Sequence, residues 1–224
     1  MSSPLVTCFC PTRNRRDWLP YAIECFNQQD YENRELVIVA DGEDVRDIVP
    51  HDPRITLVSL LETRRPQFLS DKFNLCCTLG KGEILCKWDD DDWSAPNRIS
   101  DQVNRLQTSG RAFTGYCKML FTDGSKWWRY NGTSAFALGT SFCFKREWWD
   151  RNKFPPSVMV GSDNIFVHNA VVALQLAAVP GEGMMVATVH PRNTSPKGTT
   201  RWQALPDFPG VEGYRSPLVR SKAS

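Results

Sequence analysis

Residues 83–92 run from a short apolar stretch, Glu83–Trp88, straight into four consecutive aspartates, Asp89-Asp90-Asp91-Asp92. The stretch reads as a buried strand, so the aspartates stand where that strand leaves its sheet. Four adjacent carboxylates repel one another, and folding them together costs free energy unless a cation offsets them. Hard oxygen ligands of this kind suit Mg²⁺ or Mn²⁺, which then bridge to phosphate oxygens. The competing reading is a solvated acidic turn; the position at a strand end, beside two other polar strand ends, favours the cation site. An EF-hand-like loop is excluded because Ser94 stands where that loop needs glycine.

The rest of the first half places that strand in a layered domain. Leu5–Cys10 is an apolar run closed by Pro11, and the polar turn Thr12–Arg16 follows it. Trp18, Leu19, Ala22, Ile23 and Phe26 then recur with helical spacing, with Pro20 in the helix's first turn. Glu35–Ala40 and Ile55–Leu60 read as strands, and Leu69–Leu79 as a helix that stops at Gly80-Lys81-Gly82. Strand alternating with helix predicts β-α-β units and a largely parallel sheet covered on both faces. Ligands of such sheets bind beyond the carboxyl ends of the strands, here Pro11–Arg15, Asp41–Asp44 and Asp89–Asp92, which should converge.

The second half is more mixed. Ala95–Ser109 reads as a helix ended by Gly110, and Phe113–Phe121 with Trp127–Tyr130 as a hairpin turning at Asp123-Gly124. Thr140–Lys145 is a further strand, Ser162 caps a helix from Asp163 to about Gln175, and Met184–His190 is the last strand. The expected organisation is one domain over residues 1–195 and a basic tail over 196–224, rich in Pro and Gly, whose order is not expected.

Composition narrows the class. The chain has 224 residues, 41% hydrophobic and 23% charged, enough for one core without disulfide help. No apolar run is long enough to span a bilayer and no signal peptide is visible, so a cytoplasmic location is expected. The eight cysteines include no C-x-x-C pair and read as buried free thiols rather than a zinc site or disulfide framework. Asn131-Gly-Thr and Asn193-Thr-Ser carry no weight as glycosylation sites in that compartment. The net charge of +2 conceals an uneven spread: residues 41–110 carry 13 acidic and 9 basic side chains, and residues 111–153 carry 3 acidic and 8 basic ones. An acidic centre flanked by basic segments suits a cation site serving a polyanionic ligand, and equally suits ordinary surface charge.

Four motifs in order resemble the family 2 glycosyltransferases, which have the GT-A fold. Pro11-Thr-Arg-Asn-Arg15 resembles the family's P-T-Y-N-R opening, with Arg13 in place of the aromatic. Glu35–Asp44 resembles its second strand ending in D-D-G-S, with Ala40 in place of the first acid. Lys72-Phe-Asn74 and Gly80–Asp92 resemble its N-x-G and D-x-D stretch, and Gly161-Ser-Asp-Asn164 its E-D motif, with Ser162 replacing the acid. The match covers about residues 5–190.

The resemblance implies an α/β, Rossmann-like fold with a mostly parallel central sheet, and an inverting, metal-dependent enzyme. Its donor would be a nucleotide sugar, most simply a UDP-sugar. Pro11, Thr12, Arg13, Asn14, Arg15, Asp41, Lys72, Asn74, Asp89 and Asp90 would hold that donor, with Thr12 and Asp41 on the base and Asp89 on the ribose. Asp91 would ligate Mn²⁺ or Mg²⁺, with Asp92 either a second ligand or an acidic neighbour. His190, opening an H-x-x-N-x-S-like segment, would complete the metal shell or touch the diphosphate with Arg192 assisting, or else is structural. Asp163 would be the general base. Trp127, Trp128 and Arg129 would meet the acceptor, a saccharide or hydroxymethylated pyrimidines of viral DNA, since aromatic faces stack on sugars and on bases alike. Two other classes compete. A sugar-nucleotide nucleotidyltransferase should show a Gly-rich basic loop after the first strand, where this chain has Pro-Thr-Arg-Asn-Arg. A non-catalytic nucleotide-binding module would explain the substituted acids.

Overall fold

The computed structural model describes residues 3–61, 68–195, 198 and 202–218. Among them, strands β1 (Val6–Arg13), β2 (Arg34–Asp41), β3 (Ile55–Ser59) and β4 (Ile84–Lys87) form a parallel set in the order β3-β2-β1-β4. Beyond β4 the sheet becomes mixed. The antiparallel strand β8 (Cys143–Lys145) comes next, then β6 (Phe113–Thr122), β7 (Trp127–Asn131) and β11 (Gln203–Leu205). The strands β9 (Leu176–Pro180) and β10 (Met185–Thr188) pair with β6, and β10 also with the short β5 (Trp93–Ser94). The expected α/β architecture, parallel at the centre and mixed in the C-terminal half, is what the chain forms.

Alternation along the strands feeds two cores. Cys8, Cys10, Leu36, Ile38 and Cys86 face helices α1 (Leu19–Asn27) and α3 (Arg98–Ser109), where Leu19, Ala22, Phe26, Ile99 and Val103 meet them. Phe9, Val37, Val39 and Leu85 face α2 (Leu69–Leu79), α4 (Arg146–Arg151) and α5 (Ser162–Val172), against Phe73, Cys76, Trp148 and Phe166. Both faces are buried, so the strands read as continuous apolar runs rather than alternating ones. All eight cysteines are buried and free.

Several boundaries differ from the sequence expectation. β1 does not stop at Pro11 but continues to Arg13, paired with β2 as far as Asp41. The Phe9 carbonyl accepts from Trp88 N–H, and Pro11, two residues on, faces the same side, past the end of the β4 ladder, where no N–H is needed. Ser162 is not the cap of α5: Gly161 occupies that position with φ +86°, and Ser162 is a buried first-turn residue. α5 ends at Val172, which leaves room for β9, a strand that its Leu-Ala-Ala-Val-Pro composition does not announce. Part of the expected tail belongs to the fold. β11 pairs with β7, Val211 is buried, and Tyr214 packs edge-on against Trp93 and Trp127. Residues 196–197, 199–201 and 219–224 lie outside the described residues.

The end of β4 is clamped from beneath. Arg98, fully buried, donates to the Lys87 carbonyl at 2.7 Å, to Ser94 Oγ at 2.9 Å and to Gln102 Oε1 at 3.3 Å, and lies over the Trp88 ring. Replacing it by methionine keeps the bulk but leaves those acceptors without their donor. We expect Arg98→Met to lower unfolding free energy by about 3 kcal/mol, the scale for removing one member of a buried polar network. Urea denaturation at constant m-value would measure it; an unchanged midpoint would show that the acceptors find other donors.

Candidate active site

Because β1, β2 and β4 are parallel, their carboxyl ends lie on one edge of the sheet, with Arg13 beside Asp41 and Phe9 beside Lys87. A cavity of about 590 Å³ opens there. Its walls include Pro11, Thr12, Arg13, Asn14 and Arg15 from the end of β1, Lys72 from α2, and Lys87, Asp89, Asp90 and Asp91 from β4 and beyond. Asp163 and Asn164 enter from the first turn of α5, and Arg192 to Ser195 from the segment after β10. The motifs expected to converge do so.

Each aspartate of the run has its own partners. Asp89 accepts from Lys87 Nζ. Asp90 is fully buried and accepts from Thr12 Oγ1 at 2.6 Å and Arg15 Nη1 at 2.6 Å. Burial, then the charge of Asp91, pushes the Asp90 carboxyl up to about 6, against the pull of Arg15 and Thr12. Asp91 Oδ2 receives Arg15 Nη1 at 2.8 Å, His190 Nε2 at 2.9 Å and Asn193 Nδ2 at 3.2 Å. Asp92 is held by Thr140 Oγ1 and by Thr188 N–H at 2.8 Å. Burial works against the Arg15 charge, but Asp90 and Asp91 outweigh it and hold the guanidinium above its ordinary pKa.

His190 lies behind Asp91 rather than in the cavity wall. Its Nδ1 accepts from Arg192 N–H at 3.1 Å, which leaves the proton on Nε2, facing Asp91. Trp18 stacks on the imidazole with ring centroids 4.4 Å apart. Carboxylate oxygens of Asp89, Asp91 and Asp92 lie within 4.8 Å of one another, an all-oxygen donor set that fits a hard divalent cation.

Asp41 is not among the cavity-lining residues but stands beside two that are, its side chain 15% exposed, with Lys72 Nζ at 3.3 Å and Arg13 Nε at 3.6 Å. Burial lowers the Lys72 pKa and Asp41 opposes that shift, so Lys72 faces a neighbouring acid. Asn74 does not belong to the site. Its amide donates to the Phe154 carbonyl at 2.9 Å and accepts from Trp149 Nε1 at 3.0 Å and Phe154 N–H at 3.1 Å, so it ties α2 to the segment after α4. Trp127, Trp128 and Arg129 are also misplaced by the sequence reading. They lie on β7, outside the cavity wall: Trp127 packs on Phe208 and Tyr214, Trp128 against a core of Tyr116, Met119 and Phe121, and Arg129 pairs with Glu182 at 2.6 Å. Phe121, Phe136, Leu138, Met159, Val160 and Trp202 supply the apolar wall instead. They come from four separate stretches, around positions 121, 136–138, 159–160 and 202, that meet through long-range packing, so no local pattern announces them. Lys87 and Gly139 were also missed, although a lysine closing the apolar run Ile84-Leu-Cys was a visible anomaly.

A carboxylate-lined cavity at the carboxyl edge of a parallel sheet that turns mixed is the architecture of the GT-A class. Residues 7–169 match the family described as Glycosyl transferase family 2, and the chain belongs to it. A curated relative, the putative colanic acid biosynthesis glycosyl transferase WcaA of Escherichia coli (strain K12), is 33% identical over 105 residues, 44% of this chain and 37% of the relative. Among solved structures, S. aureus TarS 1-349 in complex with UDP-GlcNAc superposes with a TM-score of 0.71 at 16% identity, over 85% of this chain and 60% of that one. The mannosyltransferase PcManGT from Pyrobaculum calidifontis, in complex with GDP-Man and Mn²⁺, gives 0.65 at 22% identity, over 87% and 59%. These likenesses establish the fold, and the chain spans well under two thirds of each of these proteins. Among the described residues, no helix is long and apolar enough to cross a membrane.

Gly139, in the 3-10 turn Gly139–Ser141, is the seat of Asp163: a Cβ at position 139 would fall on the Asp163 carboxylate, well inside van der Waals contact. Gly139→Ala should therefore leave the melting temperature within about 2 °C, since the clash is with the tip of a flexible side chain. It should cut any turnover that depends on Asp163 by at least about tenfold, because a misplacement of about 1 Å has that effect or more. Steady-state rates and a thermal melt on the same preparation check both.

Proposed function

We propose that this chain is the catalytic domain of an inverting glycosyltransferase that takes a sugar from a nucleoside diphosphate sugar, UDP-linked in the first instance, and passes it to a saccharide hydroxyl. The observation that carries the reading is the meeting of Asp89 and Asp91 with Asp163, from a distant part of the chain, around one cavity. A nucleotidyltransferase is disfavoured by Pro11–Arg15, which lacks a glycine-rich loop. A binding module would have no need of the Asp163 seat.

Asp41, steadied by Lys72 and Arg13, accepts from a base ring N–H such as uracil provides. The wall from Pro11 to Arg15 lies along the nucleoside, with Asp89 placed for the ribose hydroxyls. Asp91, Asp89 and Asp92 are the oxygen donors for Mn²⁺ or Mg²⁺, and His190, donating through Nε2, orients Asp91. Such a cation, when bound, stabilises charge building on the departing diphosphate. Arg15 and Arg192 add fixed positive charge on the same side. Asp163 removes the acceptor proton as the hydroxyl attacks the anomeric carbon from the face opposite the diphosphate, which inverts the configuration. The acceptor approaches along the apolar wall near Asp163, where Phe136 and Trp202 offer aromatic faces to a sugar ring. Trp127, Trp128 and Arg129, expected to meet either acceptor, are engaged elsewhere and so do not decide between saccharide and DNA.

Incubation with Mn²⁺, a panel of nucleotide sugars and a panel of saccharide acceptors, with hydroxymethylated DNA in a parallel arm, should release nucleoside diphosphate with saccharide present and DNA absent. Release that requires DNA would replace the saccharide by DNA as acceptor. Asp163→Ala should reduce transfer by about 10²–10⁴-fold, the usual contribution of a general base, with donor affinity retained. Asp91→Ala should lose both. Unchanged turnover in Asp163→Ala would remove it as the base.

A further inference from the structure

Lys87 is the least expected residue in the core. It ends β4 after Ile84, Leu85 and Cys86, all buried, stands beside Phe9 in the β1–β4 register, and is only 6% exposed. Its Nζ lies 5.1 Å from the centre of the Phe73 ring. Packing alone would place a leucine or phenylalanine there, because burying an ammonium group is costly unless it is paired. The partner is Asp89, whose Oδ1 takes the Nζ donor. Backbone bonds hold the lysine in place, with its N–H donating to the Phe142 carbonyl at 2.8 Å and its carbonyl taking Arg98 at 2.7 Å. The side chain also forms part of the cavity floor together with Asp163.

We propose that Lys87 is a positioning residue: an internal cation that pins Asp89 through one carboxylate oxygen and so aims the other at the donor. This rests on the donor site assigned above. The pair is asymmetric in a useful way. The Asp89 side chain keeps 22% exposure and the Lys87 side chain 7%, so the ammonium is the buried anchor and the carboxylate the end that reaches the ligand. The ammonium donates to one carboxylate oxygen, Oδ1, and lies over the Phe73 ring.

A double-mutant cycle on the full chain tests this, with Lys87→Met and Asp89→Asn singly and together and Lys87→Arg as the conservative variant. UDP binding is read by calorimetry in excess Mn²⁺, and melting temperature without nucleotide. Lys87→Met should weaken UDP at least tenfold while Lys87→Arg retains most of the affinity, and adding Lys87→Met to Asp89→Asn should weaken UDP no further. Asp89→Asn alone should melt lower, because it strands the buried ammonium, and Lys87→Met should recover part of that loss. Wild-type UDP affinity in Lys87→Met, or losses that simply add, would overturn the proposal. If the wild-type chain bound no nucleotide at all, the donor-site reading and the positioning role would both fall. The recovery in melting temperature would then separate a purely structural Lys87–Asp89 pair from no pair.

Discussion

Everything at the carboxyl edge of the sheet depends on folding four consecutive carboxylates into a largely buried place. Repulsion among them is the problem, and it is met by Lys87, two residues before the run, and by groups from other parts of the chain, with Arg15 shared between Asp90 and Asp91. Lys87 takes Asp89; Thr12 and Arg15 take Asp90; Arg15, His190 and Asn193 take Asp91; Thr140 and the Thr188 N–H take Asp92. Those partners come from β1, β4, the turn before β8, β10 and the segment after it. The acidic run therefore acts as a hub that fixes the relative positions of both halves of the sheet. Its charge is not fully neutralised, since the charge of Asp91 still raises Asp90's cost of ionisation. That residual field is what a divalent cation would relieve.

The parallel half of this arrangement was legible because it is local. Short apolar runs, polar breaks and helical periodicity are each contained within about ten residues, and the carboxyl-edge rule then brings Arg13, Asp41 and Asp89 together without further information. The motifs also singled out Asp163, which lines the cavity, and His190, which stands behind Asp91 rather than in the wall; the roles of both belong to the proposed function. What failed was the inference from residue type to position. Asn74 looked like a polar contact for the donor, yet Trp149 and Phe154, far away in sequence, claim its amide. Trp127 and Trp128 looked like an acceptor platform, yet the return of β11 and Tyr214 against β7 turns Trp127 into core. Both errors arise from contacts more than seventy residues away in sequence, which no local pattern encodes.

The two sides of the cavity differ in how they are specified, and this bears on what each recognises. The donor side is built from consecutive residues at strand ends, so its geometry follows from the sheet itself and a few charges tune it. The side next to Asp163 is assembled from separate loops, with Leu138–Gly139 beneath the carboxylate, Met159 and Val160 ahead of α5, and Trp202 held against Phe121 with ring centroids 4.0 Å apart. A rigid edge is suited to the nucleoside diphosphate common to many donors, because backbone and carboxylate positions there change little when loops vary. Loops carrying aliphatic and aromatic side chains are suited to discriminating acceptors, because a single substitution alters shape without disturbing the sheet. The small residue at position 139 joins the two, because a Cβ there would meet the Asp163 carboxylate. Under the proposed reading, substitutions around Asp163 would alter acceptor choice, while Gly139 and the end of β4 would answer to the geometry of transfer.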